Sequence, residues 1–427
     1  MKSLIDWLNY LESLHPKGRD GIELGLERVD RVKAALGQQQ NCPVIIVGGT
    51  NGKGSTCAYL EAIYRSAGFR VGCYTSPHLL QYNERVKLDG TAITDQALCT
   101  AFSRVETARQ AAGDVSLTYF EFGTLAAWQA FAAWQAEVII LEVGLGGRLD
   151  AVNIYDASAA VVTGVALDHT AWLGSTRESI GFEKAGIFRA NRPAICADPQ
   201  PPQSLLSHAA EIHANLHLIG LDFGHVHDGD NWSFWSRSGT HWNGLPMPAL
   251  CGAYQRDNAS AALAVVDALQ DQLPVTPELL SLGLRKTRAV GRFQQVRDRP
   301  LIILDVAHNP QAVSALANNL ATMGNFQRTF AVVGMLADKD IGGALSALAR
   351  KIDYWFLATL DVPRGAPAET LAAAVRNGAS TGMEERTECF SAPDEAFLRA
   401  VSLAGENDRI IVFGSFHTVA SVLRVIE

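Results

Sequence analysis

Apolar and polar positions divide the chain into two regular stretches with a different one between them. Val44–Val47 is a continuous apolar run, and a helical pattern follows from Ser55 through Ala67. Phe69–Tyr74 is a second run, and helical patterns follow at Thr94–Ala112 and Tyr119–Trp134. Glu137–Gly144 and Ala159–His169 are again short and apolar, as strands buried on both faces read. Strands spaced by helices predict a doubly wound, mostly parallel sheet. Between about Pro193 and Gly252 that rhythm is lost. Gly, His, Trp and Asp dominate there, alternation is partial, and short strands and hairpins forming an edge ribbon are expected. A helical pattern returns at Asp257–Leu269, and Lys286–Pro300 breaks it. A second α/β rhythm then runs through "LIILDVAHNP", "TFAVVGML", "DYWFLATL" and "RIIVFGSF", with helices between. The domain boundary is expected near residues 288–296. The first residues, "MKSLIDWLNYLESLH", predict an amphipathic helix. They carry Asp6 and Glu12 and have no apolar h-region, so they do not read as a signal peptide.

Composition narrows the classes. A chain of 427 residues with 48% hydrophobic content suggests two or three domains with sizeable cores. No apolar run reaches the roughly eighteen residues of a membrane span. Seven cysteines without a C-x-x-C pair read as ordinary buried thiols in a reducing cytosol. A net charge of −8 argues against general nucleic-acid binding, which needs a basic surface. It leaves small anionic ligands open, and acidic solubility explains it simply.

The chemistry starts at "IIVGGTNGKGST", Ile45 to Thr56. The usual phosphate loop reads G-x-x-x-x-G-K-[ST]. Here Val47 stands where the first glycine belongs, and Gly54 where the hydroxyl does. The physics survives the different spelling. A buried strand enters a turn whose glycines permit positive φ, and a helix follows with its N–H groups facing the turn. Lys53 adds a point charge for terminal phosphates. A plain glycine-rich strand–helix turn is the competing explanation.

Ligands of open parallel sheets bind beyond the carboxyl ends of strands. Glu142 ends "VIILE" and could hold the magnesium that accompanies ATP. Ser76 follows another strand. His169 follows "VVTGVALD", but magnesium prefers oxygen, so chemistry alone favours a core or capping histidine. Arg292 lies at the domain junction in "GRF", where a cation could reach phosphates. "DVAHNP" carries Asp305, His308 and Asn309, and Asn309 before Pro310 also reads as a helix cap. "GSFHTV" follows the last strand, and Asn258 lies early in a helix. His225, His227 and His241 suggest either a metal site or a solvated hairpin surface, the latter favoured by the surrounding aromatics and turn residues.

Taken together, "GTNGKGS", "SPHL", "TYFEFGTLAA", "LEVGLGGRLDAVN", "ALDHTAWLG", "ESIGFEKAGI", "GRFQ", "DVAHNP", "GMLADKD" and "GSFHTV" resemble the folylpolyglutamate synthase and dihydrofolate synthase family of the Mur ligase superfamily. The resemblance spans nearly the whole chain and is weakest at about 195–250. It accounts for the unusual phosphate loop, which that superfamily writes GTNGKG[ST]. It implies an ATP-binding domain at 1–290, β-rich near 195–250, followed by a smaller Rossmann-like glutamate-ligase domain at 291–427.

The resemblance also implies roles. Thr50, Asn51, Gly52, Lys53, Gly54 and Ser55 would cradle ATP phosphates, and Asn258, Arg292 and Asp305 would contact the nucleotide. Ser76 and Glu142 would ligate one Mg2+, and Glu142 with His169 a second. Lys184, in "FEKAGI", matches a lysine that is carbamylated in the family; an unmodified Lys184 bound to phosphate is the alternative. Dihydropteroate would lie against Gly21, Ile22, Glu23 and Leu24, against Thr118, Tyr119, Phe120 and Glu121, and against Leu149, Asp150 and Ala151. His308 would help position phosphate or glutamate.

The implied reaction is ATP-driven amide formation through an acyl phosphate, in a cytoplasmic monomer. L-Glutamate would be joined to 7,8-dihydropteroate, and further glutamates to tetrahydrofolate and its polyglutamates. An enzyme with the polyglutamate activity alone is the nearest alternative. A Mur ligase for cell-wall UDP-peptides and a nucleotide-binding switch without chemistry are further ones.

Overall fold

The computed structural model describes residues 2–18, 21–37, 39–252, 254–378 and 386–426. The chain forms two compact units, one of Met1–Ala249 with Arg256–Thr287, the other of Leu250–Gln255 with Arg288–Glu427.

The first unit is built on an eight-stranded sheet. Its strands are β1 (Val44–Gly48), β2 (Val71–Tyr74), β3 (Val86–Leu88), β4 (Thr91–Ala92), β5 (Val138–Glu142), β6 (Ala159–Val162), β7 (Pro193–Cys196) and β8 (Asn215–Leu218). Their order is β4-β3-β2-β5-β1-β6-β7-β8. Strands β2, β5, β1, β6, β7 and β8 are parallel, while β3 and β4 add an antiparallel edge. The chain leaves β1 toward β2 on one side and returns to β6 on the other, so the order reverses at β1. In doubly wound sheets the crevice for ligands opens at that switch point. The helix Lys53–Ser66, which follows β1, is buried from Ser55 through Tyr64. A second helix, Pro277–Lys286, packs on it so closely that a Cβ at Gly283 would meet the Ile63 backbone.

Several elements differ from the pattern expected of the sequence. The run Ala159–His169 is a strand only as far as Val162, because the chain then turns to bond the glycine loop. Residues 193–218 continue the parallel sheet through β7, the helix Gln203–Glu211 and β8. That helix buries Leu205 and Ala209, four residues apart on one face. The ribbon is therefore shorter than expected. It comprises β9 (Phe223–Asp228), β10 (Asn231–Ser236) and β11 (His241–Pro246), antiparallel in the order β11-β10-β9.

The second unit carries β12 (Gln294–Asp298), β13 (Leu301–Leu304), β14 (Thr329–Val333), β15 (Tyr354–Ala358), β16 (Thr387–Phe390) and β17 (Arg409–Phe413). Their order is β12-β13-β17-β14-β15-β16, parallel except for β12. Thus the break at Lys286–Pro300 contains an antiparallel edge strand. Asn309 caps the helix Pro310–Ala321, its side chain accepting from Ala312 N at 2.9 Å. Ser3 and Asp6 form a capping box at the helix Leu4–Leu14. Among the described residues no helix is long and apolar enough to cross a membrane. All seven cysteines are free thiols, but they are not all buried as expected: Cys251 and Cys389, which lie outside the sheet cores, are exposed and Cys42 is half-buried.

Candidate functional site

The glycine turn follows β1 at the switch point. Gly49 (φ 136°) and Gly52 (φ 93°) hold conformations that side chains rarely adopt. A Cβ at Gly49 would strike Thr163, and one at Gly52 the carboxamide of Asn258. Asn258 therefore stands directly against the turn. Lys53 is the first residue of the following helix, and its Nζ curls back to donate to Gly49 O at 3.0 Å and Thr50 O at 3.2 Å. Ser55 is buried one turn in. The helix N-terminus has Gly52 as its cap and no side-chain cap bond, an arrangement suited to an anion.

A strap formed by residues 163–169 holds this turn. Thr50 N donates to Gly164 O at 2.8 Å, and Ala166 N donates to Thr50 Oγ1 at 3.0 Å. Thr163 Oγ1 donates to Asn51 O at 2.6 Å and lies 3.2 Å from Gly48 O. The strap is anchored behind by buried Asp198, which accepts from Val165 N at 2.7 Å and from Arg177 at 2.9 Å. Thr163, Arg177 and Asp198 were not candidates from the sequence. Thr163 ends an apolar run like Glu142 does, and that position is the signal that could have found it. At the strap's far end His169 takes φ 51° and opens the four-residue helix Thr170–Leu173.

Ser76 and Glu142 meet as expected of neighbouring strand ends. Ser76 N donates to Glu142 Oε2 at 3.0 Å, and Glu142 is 3% exposed. A buried carboxylate beside a serine offers the hard oxygens Mg2+ prefers; such sites commonly supply one or two carboxylates, with water and phosphate oxygens completing the shell. The residues present fit a divalent ion of that kind, and the nitrogen of His169 is the poorer donor in the set. Among the described residues no three or more His, Cys, Asp or Glu side chains gather as a metal cage. On the ribbon, His225 Nε2 lies 2.9 Å from Asp257, while His227 stands opposite Trp232 and His241 opposite Trp235.

Lys184 is 4% exposed near the end of the helix Arg177–Ala185. Burial drives its pKa down to about 7, and the charge of Lys53 pushes the same way, against Asp168 and Asp150. Burial likewise raises Asp150 to about 7, although the backbone N–H groups of Leu145 and Val152 and the charge of Lys53 favour its ionised form. These two lysines and two aspartates therefore form one electrostatic cluster beside the glycine turn.

The three segments expected to touch a pterin converge. Arg28 donates to the Glu23 carboxylate at 2.5 Å and carbonyl at 2.9 Å, and to Glu121 at 2.9 Å. Gly25 N donates to Leu149 O at 3.3 Å. Glu23 also pairs with Lys17 at 3.0 Å and lies 3.4 Å from His15. Thr118 and Glu121 form a capping box that starts the helix Tyr119–Ala133, and Phe120 packs 5.8 Å from Tyr74. Gly21, Ile22 and Leu24 are half-buried beside Glu23, as is Leu149 next to buried Asp150 and Ala151. Arg28 sits in a helical pattern ordinary for a surface, so nothing in the sequence marked it.

In the second unit, Asp305 follows β13 and accepts from Phe293 N at 2.9 Å and Ala307 N at 2.8 Å. Burial raises its pKa, and Arg292 opposes that rise. Arg292 lies 5.2 Å from the ring of Phe416. Gly414 N donates to Ala307 O at 2.9 Å, so the loops after β13 and β17 adjoin. His308 Nδ1 is 2.8 Å from Val306 O. Tyr254, which sequence reasoning missed, joins this cluster; burial and then Asp305 raise its pKa, while Arg292 lowers it.

The family described as Mur ligase, glutamate ligase domain, matches residues 291–416. The whole chain is similar to the dihydrofolate synthase/folylpolyglutamate synthase of Escherichia coli, 45% identical over 99% of this chain and 96% of that one. It is similar in structure to E. coli FolC in complex with DHPP and ADP, with a TM-score of 0.91, 44% identity, and 100% and 98% of the two chains covered. A bifunctional folylpolyglutamate synthase/dihydrofolate synthase from Yersinia pestis, complexed with AMPPNP and Mn, gives a TM-score of 0.90 at 44% identity over 100% and 98%.

Proposed function

The chain belongs to the dihydrofolate synthase/folylpolyglutamate synthase family, and from that premise we propose that it is an ATP-dependent ligase joining L-glutamate to 7,8-dihydropteroate and adding further glutamates to tetrahydrofolate. The observation that carries this reading is the full-length relationship to a protein named for both activities. The relatives bound to ADP, or to AMPPNP and Mn, support a nucleotide and a divalent cation for this chain too.

A carboxylate is a poor electrophile, so it is phosphorylated first and the acyl phosphate is then captured by the amine of glutamate. Phosphoryl transfer demands positioning and neutralisation of charge more than covalent participation. The turn Thr50–Ser55 presents N–H groups to the phosphates, and Lys53 exchanges its two carbonyl contacts for phosphate oxygens. Ser76, Glu142 and His169 would hold Mg2+, which lowers the charge repulsion between triphosphate and carboxylate when bound; two such ions are proposed. Lys184, whose lowered pKa leaves a substantial fraction of its amine neutral near pH 7, is suited to carbamylation, which would turn an ammonium into an anion among the phosphate-binding groups. Asn258, Arg292 and Asp305 are proposed nucleotide contacts, and His308 a contact to phosphate or glutamate. The segments joined through Arg28 are proposed to hold the pterin. Free thiols support a reducing, cytoplasmic setting, and the enzyme is proposed to act as a monomer.

The test is ligation of radiolabelled glutamate with dihydropteroate and, separately, with tetrahydrofolate, coupled to ADP release. Product from both acids is expected. Product from tetrahydrofolate alone would reduce the chain to a polyglutamate synthase, and ADP release from neither would remove the ligase reading.

A further inference from the structure

Between Ser76 and the pterin segments lies a cation that the account above leaves unused. Arg85 is 9% exposed, and among the described residues no carboxylate pairs with it. Its Nε donates to His78 Nδ1 at 2.9 Å. Its guanidinium carbon lies 5.3 Å from the ring centre of Tyr82 and 5.6 Å from that of Tyr119. The hydroxyls of Tyr82 and Tyr74 close the same space over Gly123, where a Cβ would meet both. Withdrawing a guanidinium from water without a counter-ion costs several kcal/mol. Tyrosine faces recover part of that. The rest is recovered if an anion enters beside it.

The surroundings identify that anion. Thr75 N donates to Arg85 O at 2.9 Å, and the next residue, Ser76, bonds Glu142. Tyr119 belongs to a segment proposed to touch the pterin. Arg85 thus stands between the groups proposed for the triphosphate and those proposed for the pterin. Dihydropteroate has its pterin at one end and its carboxylate at the other, and that carboxylate must meet the γ-phosphate. It therefore falls in the interval Arg85 occupies. His78 is prepared for the same ligand. An arginine Nε can only donate, so Nδ1 of His78 accepts and its proton resides on Nε2. The imidazole's one N–H is thus fixed at Nε2.

We infer that Arg85 and His78 form the seat of the acid substrate's reacting carboxylate, binding the oxygen that is not phosphorylated. The inference rests on the ligase reading. One carboxylate oxygen attacks the γ-phosphorus, the bond to the bridging oxygen breaks, and ADP leaves with that electron pair. The second oxygen stays on Arg85 and His78. When glutamate nitrogen adds to the acyl carbon, the carbonyl electrons move to this oxygen, where the same donors stabilise the charge. Collapse breaks the carbon–oxygen bond to phosphate, and the amine proton leaves with the phosphate.

Calorimetry with AMPPNP and Mg2+ present tests this, comparing dihydropteroate with its primary carboxamide. A charge-assisted hydrogen bond is worth about 1.5–3 kcal/mol, so the wild type should prefer the acid by about tenfold to a hundredfold. Arg85→Gln should lower affinity for the acid to that for the amide and leave the amide unchanged. His78→Gln should lower kcat with dihydropteroate while KM for ATP holds. Arg85→Lys, which keeps the charge, serves if the glutamine variant does not fold; it should retain part of the preference. A folded Arg85→Gln with the full wild-type preference, or Arg85→Lys and His78→Gln both indistinguishable from wild type, would overturn the inference alone. A wild type that binds neither ligand and releases no ADP would overturn the ligase reading with it.

Discussion

Lys53 and Lys184 lie close enough for the charge of one to depress the pKa of the other, yet they pose different experiments. Lys53 lies at the glycine turn and donates there to the backbone carbonyls of Gly49 and Thr50. Its loss should cost catalysis and little stability. Lys53→Ala is expected to lower kcat by about two to three orders of magnitude, the usual scale for deleting one preorganised electrostatic contact. Its melting temperature should stay within a few degrees of wild type, and near-normal ligation would contradict the cradle. Lys184 is buried, and its folded pKa is about 7 against an ordinary 10.5. Between those values the unfolded chain binds a proton that the folded chain lacks, so stability rises with pH across that window. Lys184→Met removes this term. In CO2-depleted buffer the variant should melt above wild type at pH 7 and below, the gain shrinking toward pH 10, and ligation should be lost. A gain that does not vary with pH would mean the amine is not held in a low-dielectric site. Glu142 and Lys53 were legible because they end or follow apolar runs. Lys184 was legible only by resemblance, since a lysine within a helix carries no signal of burial. Arg28 and Arg85 were not legible at all: Glu121 lies 93 residues from Arg28, and nothing local marks Arg85 as a cation without a carboxylate.

At the scale of elements, the strap after β6 decides how well the glycine turn is preorganised. Thr163 has one hydroxyl proton, which it donates to Asn51 O at 2.6 Å with Gly48 O farther off at 3.2 Å, in a site where a Cβ at Gly49 would not fit. Thr163→Val preserves the shape and removes that bond. It is worth roughly 0.5–1.5 kcal/mol net, and a loss of about that size in stability is expected. KM for ATP should rise several-fold, while KM for dihydropteroate should hold, because the Thr163 hydroxyl bonds Asn51 of the turn and not the segments proposed for the pterin. Equal increases in both would show that the strap organises the unit generally. The same strap explains a misread strand. The apolar run to His169 continues past Val162 because Val165 packs inward, but beyond Thr163 the backbone bonds leave the sheet: Gly164 O and Ala166 N bond Thr50 in the turn, and Val165 N bonds the Asp198 carboxylate. Periodicity reports burial, not which group takes the backbone bonds. The helix Gln203–Glu211 escaped for a related reason: it is short, and only Leu205 and Ala209 are fully buried.

Across the whole molecule, the alternation of apolar runs and helical patterns was enough to predict the parallel sheets of both units, because strands buried on two faces must be apolar throughout. Alternation could not show that Leu250–Gln255 belongs with the second unit, since that grouping depends on contacts distant in sequence. Nor could it show how many acid-binding sites the first unit has. Segments ending at Leu24, Glu121 and Ala151 converge once, with Arg28 joining two of them and Gly25 bonded to the third. We propose that this one assembly serves both acids, since both carry a pterin. Arg28→Ala would take its cation away from Glu121, which is 3% exposed and keeps the Thr118 N–H bond, at a cost of up to about 3–5 kcal/mol. Arg28→Lys is the sharper probe, because it keeps the charge and gives up the forked geometry that spans Glu23 and Glu121. It should raise KM for dihydropteroate and for tetrahydrofolate together, by about tenfold, and leave KM for ATP unchanged; a charged hydrogen bond is worth about 1.5–3 kcal/mol. Impairment of one acid with the other untouched would require a second pterin site elsewhere, and the single convergence at Arg28 would then be serving only half of the chemistry.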